Sequence, residues 1–95
     1  MKYNLPERAL KDITTFACKH EIQKVVLFGS RARGAHTEKS DIDLAVSGGK
    51  IEDFYWDIKE NAHSLLSFDI VDSGAVSEDL KEEIERDGII LYEKT

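Results

Sequence analysis

The sequence predicts an α/β fold, a small mixed sheet with helices packed on it. Three observations carry that expectation. Apolar residues recur at helical spacing in three stretches, short apolar runs of strand length lie between them, and Gly or turn residues mark the joints. With 95 residues the chain has room for one domain, spanning 1–95, with a single modest core and no second lobe. No internal repeat or low-complexity tract divides it.

Leu5, Ala9, Ile13, Phe16 and Ala17 trace an apolar stripe, so an amphipathic helix is expected from Pro6, in its first turn, to about Lys19. Lys24 to Phe28 is continuously apolar after its first residue, as in a strand buried on both faces. Ser30 to Gly34 is long enough for one or two helical turns, with Gly34 as terminator before a polar connection from His36 to Ser40. Asp41 to Ser47 reads as a second strand closed by Gly48-Gly49. Ile51, Phe54, Tyr55, Ile58, Ala62 and Leu65 then mark a packing helix from about Lys50 to Leu66. Ser67 to Asp72 is a third strand. Ser77 caps a last helix, whose buried line runs through Val76, Leu80 and Ile84 and which Gly88 ends. Ile89 to Tyr92 forms a final strand or extended tail at the sheet edge.

The chemistry gathers between Val25 and Val46, VVLFGSRARGAHTEKSDIDLAV. A strand alternates its side chains, so Asp41 and Asp43 point one way and Ile42, Leu44 and Val46 the other. Two adjacent carboxylates repel and resist desolvation unless a cation neutralises them, and magnesium favours such hard oxygen donors while keeping positions for water and phosphate. Gly29 allows close backbone approach, and Ser30 offers a hydroxyl where a short helix begins, which together make a phosphate seat. For the end of one strand and the start of the next to share a site, those strands must run antiparallel. Arg31 and Arg33 have forked donors suited to phosphate oxygens, and phosphate contact is expected of at least one of them. In the third strand, alternation allows Asp69 or Asp72, but not both, on the side of the acid pair.

The Gly29-Ser30 pair, ten residues and then Asp41-Ile42-Asp43, with GSRARG at 29–34 and SDIDL at 40–44, resembles the signature of the DNA polymerase beta-like nucleotidyltransferase superfamily. The short chain is similar to its stand-alone minimal members. The resemblance implies the nucleotidyltransferase fold and transfer of a nucleoside monophosphate, AMP from ATP, to an acceptor hydroxyl. It implies two magnesium ions held by Asp41, Asp43 and Asp69, with Gly29, Ser30, Arg31 and Arg33 at the nucleotide. It also selects Asp69 over Asp72, because the family's third acid stands between apolar residues early in this strand. Many minimal members resemble antitoxins that pair with a HEPN-domain protein, and some adenylylate a tyrosine of that partner. The alternative within the same resemblance is a non-catalytic module that neutralises such a partner by covering it.

A formal net charge of −6 disfavours a broad nucleic-acid surface and, with the chain's size, points to a protein acceptor. No signal peptide or membrane-length apolar run is evident, and the single Cys18 has no internal partner, so a cytoplasmic protein is expected, alone or in an oligomer. Cys18 itself is expected to pack.

Overall fold

Successive residues of a strand face opposite sides of the sheet, yet Val25, Val26, Leu27 and Phe28 of β1 (Lys24–Phe28) are all buried, so both faces must be covered. The computed structural model, which describes residues 5–63 and 65–94, shows how. β1 pairs antiparallel with β2 (Ile42–Ser47) on one side and with β4 (Ile89–Glu93) on the other. β3 (Phe68–Asp72) adds parallel to β2, giving a mixed sheet in the order β3-β2-β1-β4.

On one face, Val25, Leu27, Ile42, Leu44 and Val46 meet Ala9, Ile13 and Ala17 of α1 (Glu7–Lys19) and Phe54 and Ile58 of α3 (Ile51–Asn61). On the other, Val26, Phe28 and Ala45 pack with Val71 and with Leu80 and Ile84 of α4 (Glu78–Asp87). The Ser77 hydroxyl caps α4 by accepting from the Leu80 amide at 3.2 Å. The four-residue α2 (Ser30–Arg33) stands between β1 and the loop to β2, and Gly34 ends it in the left-handed conformation at φ 75°.

Three expectations need correction. Pro6 lies just outside α1 as its extended cap, with ψ 141°. Cys18 is exposed, because Ala17 takes the buried position at the end of α1. The helix expected to reach Leu66 ends at Asn61, and Leu65 is fully exposed; residue 64 lies outside the described residues. A non-local contact accounts for the early stop: Ala62 turns extended at ψ 141°, and the His63 amide donates to Asp12 Oδ2 at 2.7 Å. Asp12 is 8 % exposed on α1, so this bond answers the need of a buried carboxylate. The chain then returns to the sheet, where the Ile42 amide donates to the Ser67 carbonyl at 2.9 Å.

Asp57 ties α3 to the end of α1. Its Oδ2 lies 2.7 Å from His20 Nε2 and accepts from Lys19 Nζ at 3.0 Å, while Oδ1 accepts from Asn61 Nδ2 at 2.6 Å. The His20 contact first, then Lys19 and Asn61, holds its carboxyl down at about 2. That fastening is therefore complete above the ordinary value of 3.8 and is lost as pH falls toward 2. Among the described residues no helix is long and apolar enough to cross a membrane.

Candidate active site

The site begins where β1 ends. Gly29 follows Phe28 with φ 76° and ψ −156°, a backbone state essentially restricted to glycine. Phe28 is registered against Asp43, and a Cβ placed on Gly29 would stand 2.2 Å from Asp43 Oδ2. The missing side chain thus makes room for a carboxylate of the neighbouring strand as well as freeing the turn into α2. Gly29→Ala is expected to lose at least about 2–3 kcal/mol from the forced backbone and the collision, seen as a melting temperature lowered by about 10 °C or more.

Asp43 and Asp69 are directly registered in the parallel pair of β2 and β3, so both project from the same face. Asp72 projects from the other face and accepts from the Gly74 amide at 2.9 Å, capping the 3-10 turn Ser73–Ala75. The register therefore sets Asp69, and not Asp72, beside Asp43. Asp41 is exposed and stands one residue ahead of β2, which begins at Ile42 rather than at Asp41 as expected.

Charge concentrates on Asp43. Burial first, then the charges of Asp69, Asp41 and Glu83, push its carboxyl from 3.8 up to about 6, against the opposing pull of Arg33. Glu83, on α4, belongs to this acidic surround although sequence reasoning passed over it. The available signal was its position one residue before Ile84 on the buried line of that helix. Glu83 Oε2 accepts from Arg33 Nη1 at 3.2 Å, joining α2 to α4 across the mouth of the site.

Arg33 thus lies at the acid cluster, whereas Arg31 is placed differently from the expected phosphate contact. Its side chain is buried, 4 % exposed, and donates from Nε to the Ser40 carbonyl at 3.0 Å and from Nη2 to the Glu38 carbonyl at 3.1 Å and the Thr37 carbonyl at 3.4 Å. The guanidinium fork that suits phosphate also suits a ring of carbonyls, and here the nearer ring is the loop leading to Asp41.

The donor set suits a hard divalent cation. Asp43 and Asp69 supply oxygen only and share a face, and the burial of Asp43, followed by the charge of Asp69 beside it, makes its carboxylate costly without a cation. Among the described residues, no three His, Cys, Asp or Glu side chains already stand close enough to hold an ion. The pair is formed, and Asp41 waits on the exposed approach to β2.

A strand running into Gly29-Ser30, an antiparallel neighbour that carries Asp43 just after Asp41, and a third acid registered on a parallel strand are thus gathered at one end of the sheet. The pattern of the family described as polymerase beta, nucleotidyltransferase matches residues 11–95, and the chain belongs to that family. Two Methanocaldococcus jannaschii proteins, MJ0128 and MJ0604, carry the provisional name protein adenylyltransferase. MJ0128 is 34 % identical over 78 residues, 77 % of this chain and 80 % of its own. MJ0604 is 37 % identical over 78 residues, 78 % of this chain and 76 % of its own. Among solved structures, a toxin–antitoxin crystallised with AMP-PNP superposes with a TM-score of 0.71 at 21 % identity, covering 90 % of this chain and 74 % of that one. A protein described as a minimal nucleotidyltransferase reaches 0.65 at 29 % identity, covering 84 % and 86 %. A tri-AMPylated Shewanella oneidensis HEPN toxin in complex with MNT antitoxin gives 0.64 at 22 % identity, covering 90 % and 71 %. The mixed sheet with its four helices is the nucleotidyltransferase fold, and the chain is a nucleotidyltransferase enzyme.

Proposed function

We propose that this protein transfers AMP from ATP to a hydroxyl of a partner protein and serves as the antitoxin of a HEPN-type toxin. The observation that carries the reading is the registered pair Asp43 and Asp69, with Asp41 just ahead of it, facing the Gly29-Ser30 turn from the next strand. The names of the M. jannaschii relatives support the reaction, and the S. oneidensis complex supports the kind of partner.

In this reading the Ser30 hydroxyl and the Gly29 backbone grip the leaving phosphates, and Arg33 adds positive charge beside them. Asp41, Asp43 and Asp69 would hold two magnesium ions, which when bound would supply Lewis-acid stabilisation of the phosphoryl charge. The acceptor oxygen attacks the α-phosphorus in line, and the bond to pyrophosphate breaks. Asp69, at the sheet edge, takes the acceptor proton. Asp69→Asn is therefore expected to lower transfer by about 100-fold or more, while Asp72→Asn, on the opposite face, keeps most of it. A labelled-nucleotide transfer assay decides, and the reverse ranking would remove Asp69 from this role.

A second reading is favoured by the same complex, in which an antitoxin is bound to its toxin. Here the chain neutralises a partner by occupancy alone. Inhibition of the partner that persists without nucleotide and in Asp41→Asn would select it.

A further inference from the structure

The loop from Ala35 to Ser40 delivers Asp41 to the site, yet it has no regular secondary structure to hold it. Its own bonds are short-range: the Thr37 amide donates to Ser40 Oγ at 2.9 Å, the Lys39 amide to Thr37 Oγ1 at 3.3 Å, and the Ser40 amide to the Thr37 carbonyl at 3.2 Å. These close residues 37–40 on themselves, while the start of the loop is tied to α2 by the Ala35 amide, which donates to the Ser30 carbonyl at 2.9 Å. Arg31 orients the far end, next to Asp41. Its backbone lies in α2, directly after the Gly29-Ser30 turn, and its guanidinium gathers the carbonyls of Thr37, Glu38 and Ser40.

From this bridge we infer that Arg31 is a positioning residue, which locks the loop bearing Asp41 to the helix bearing the phosphate seat so that the two halves of the site keep one geometry. The inference rests on the proposed transferase site for its meaning, but the bridge itself is a matter of loop order. A planar fork is needed because the accepting carbonyls belong to three different residues, and a Lys ammonium on a flexible stem does not hold them in one fixed arrangement. Burial of the guanidinium keeps water from competing for those carbonyls.

The test compares the full chain with Arg31→Lys and Arg31→Met by amide hydrogen exchange and by manganese binding followed with electron paramagnetic resonance. Both variants are expected to exchange the Thr37, Lys39 and Ser40 amides at least about tenfold faster, with β1 and β2 amides unchanged. Their affinity for manganese is expected to fall about tenfold, the range seen when groups that orient metal ligands are removed. Uniformly faster exchange across the sheet would mean a merely structural role and overturn the inference, as would unchanged loop exchange or unchanged manganese affinity in the variants. Wild type that bound no manganese would count against the metal reading of the acids, and loop exchange alone would then decide whether Arg31 orders the approach to Asp41.

Discussion

Asp43→Asn is expected to remove magnesium-dependent nucleotide binding and, in the same molecule, to stabilise the metal-free fold. The two effects have one cause. Asp43 sits half-buried among Asp41, Asp69 and Glu83, and its carboxyl is pushed up to about 6. A carboxylate raised in the folded state contributes its stability below the unfolded value of 3.8, and loses it as pH climbs through about 6. The metal-free wild type should therefore weaken between about pH 4 and 6, and Asp43→Asn should not. Allowing for the solvent that reaches this half-buried group, the loss is about 1 kcal/mol, or about 4–8 °C in melting temperature. The amide takes the carboxylate's shape without its charge. It should be the more stable protein at pH 7 without metal, and should lose more than about 100-fold in nucleotide affinity with magnesium, beyond what outer-shell changes cost. Thermal melts across pH and titration calorimetry measure the two halves. Unchanged affinity would overturn the assignment of Asp43 to the metal, and a less stable apo variant would contradict the electrostatic account.

Incubation with ATP and magnesium is expected to add one or more adenylate units to a HEPN-type partner, and none when the enzyme is Asp41→Asn. A protein acceptor is favoured by how the apolar residues of this domain are used and by its net charge. Its apolar residues are spent on two faces of a four-stranded sheet, and its net charge is −6, so RNA or DNA would be repelled rather than gathered. A protein acceptor brings its own hydroxyl and its own contacts. Asp69 lies on the edge strand β3, open to an approaching side chain, so docking and in-line attack can share one surface. Intact-mass spectrometry of the partner gives the answer directly. If a small metabolite or RNA takes the label and the partner does not, the acceptor is wrong and the transferase stands.

Much of this was readable along the chain because the signals were local. The apolar run of β1, the Gly29-Ser30 break and the left-handed stop at Gly34 need only neighbouring residues to specify them. The end of α3 was not readable in that way. Leu65 continues the helical spacing, and what stops the helix is Asp12, far back on α1, accepting the His63 amide. Arg31 shows the same limit: the motif puts a guanidinium beside Gly29-Ser30, while the carbonyls that receive it belong to residues up to nine further along the chain. Asp69 was an intermediate case. Alternation leaves it level with Asp72, the family resemblance selects it, and the pairing of β3 with β2 gives the physical reason by setting it opposite Asp43.

That pairing also sets an order of assembly. Asp41 and Asp43 come into line with the Gly29 turn when β1 and β2 meet as close neighbours in the sequence. Asp69 cannot join them until the whole α3 crossover is built, because parallel strands require one. Contacts that close longer loops form more slowly. On the proposed assignment, the β1–β2 hairpin alone would carry the Gly29-Ser30 turn and two of the acids, but not the third. The complete set would therefore belong to the finished sheet rather than to the motif.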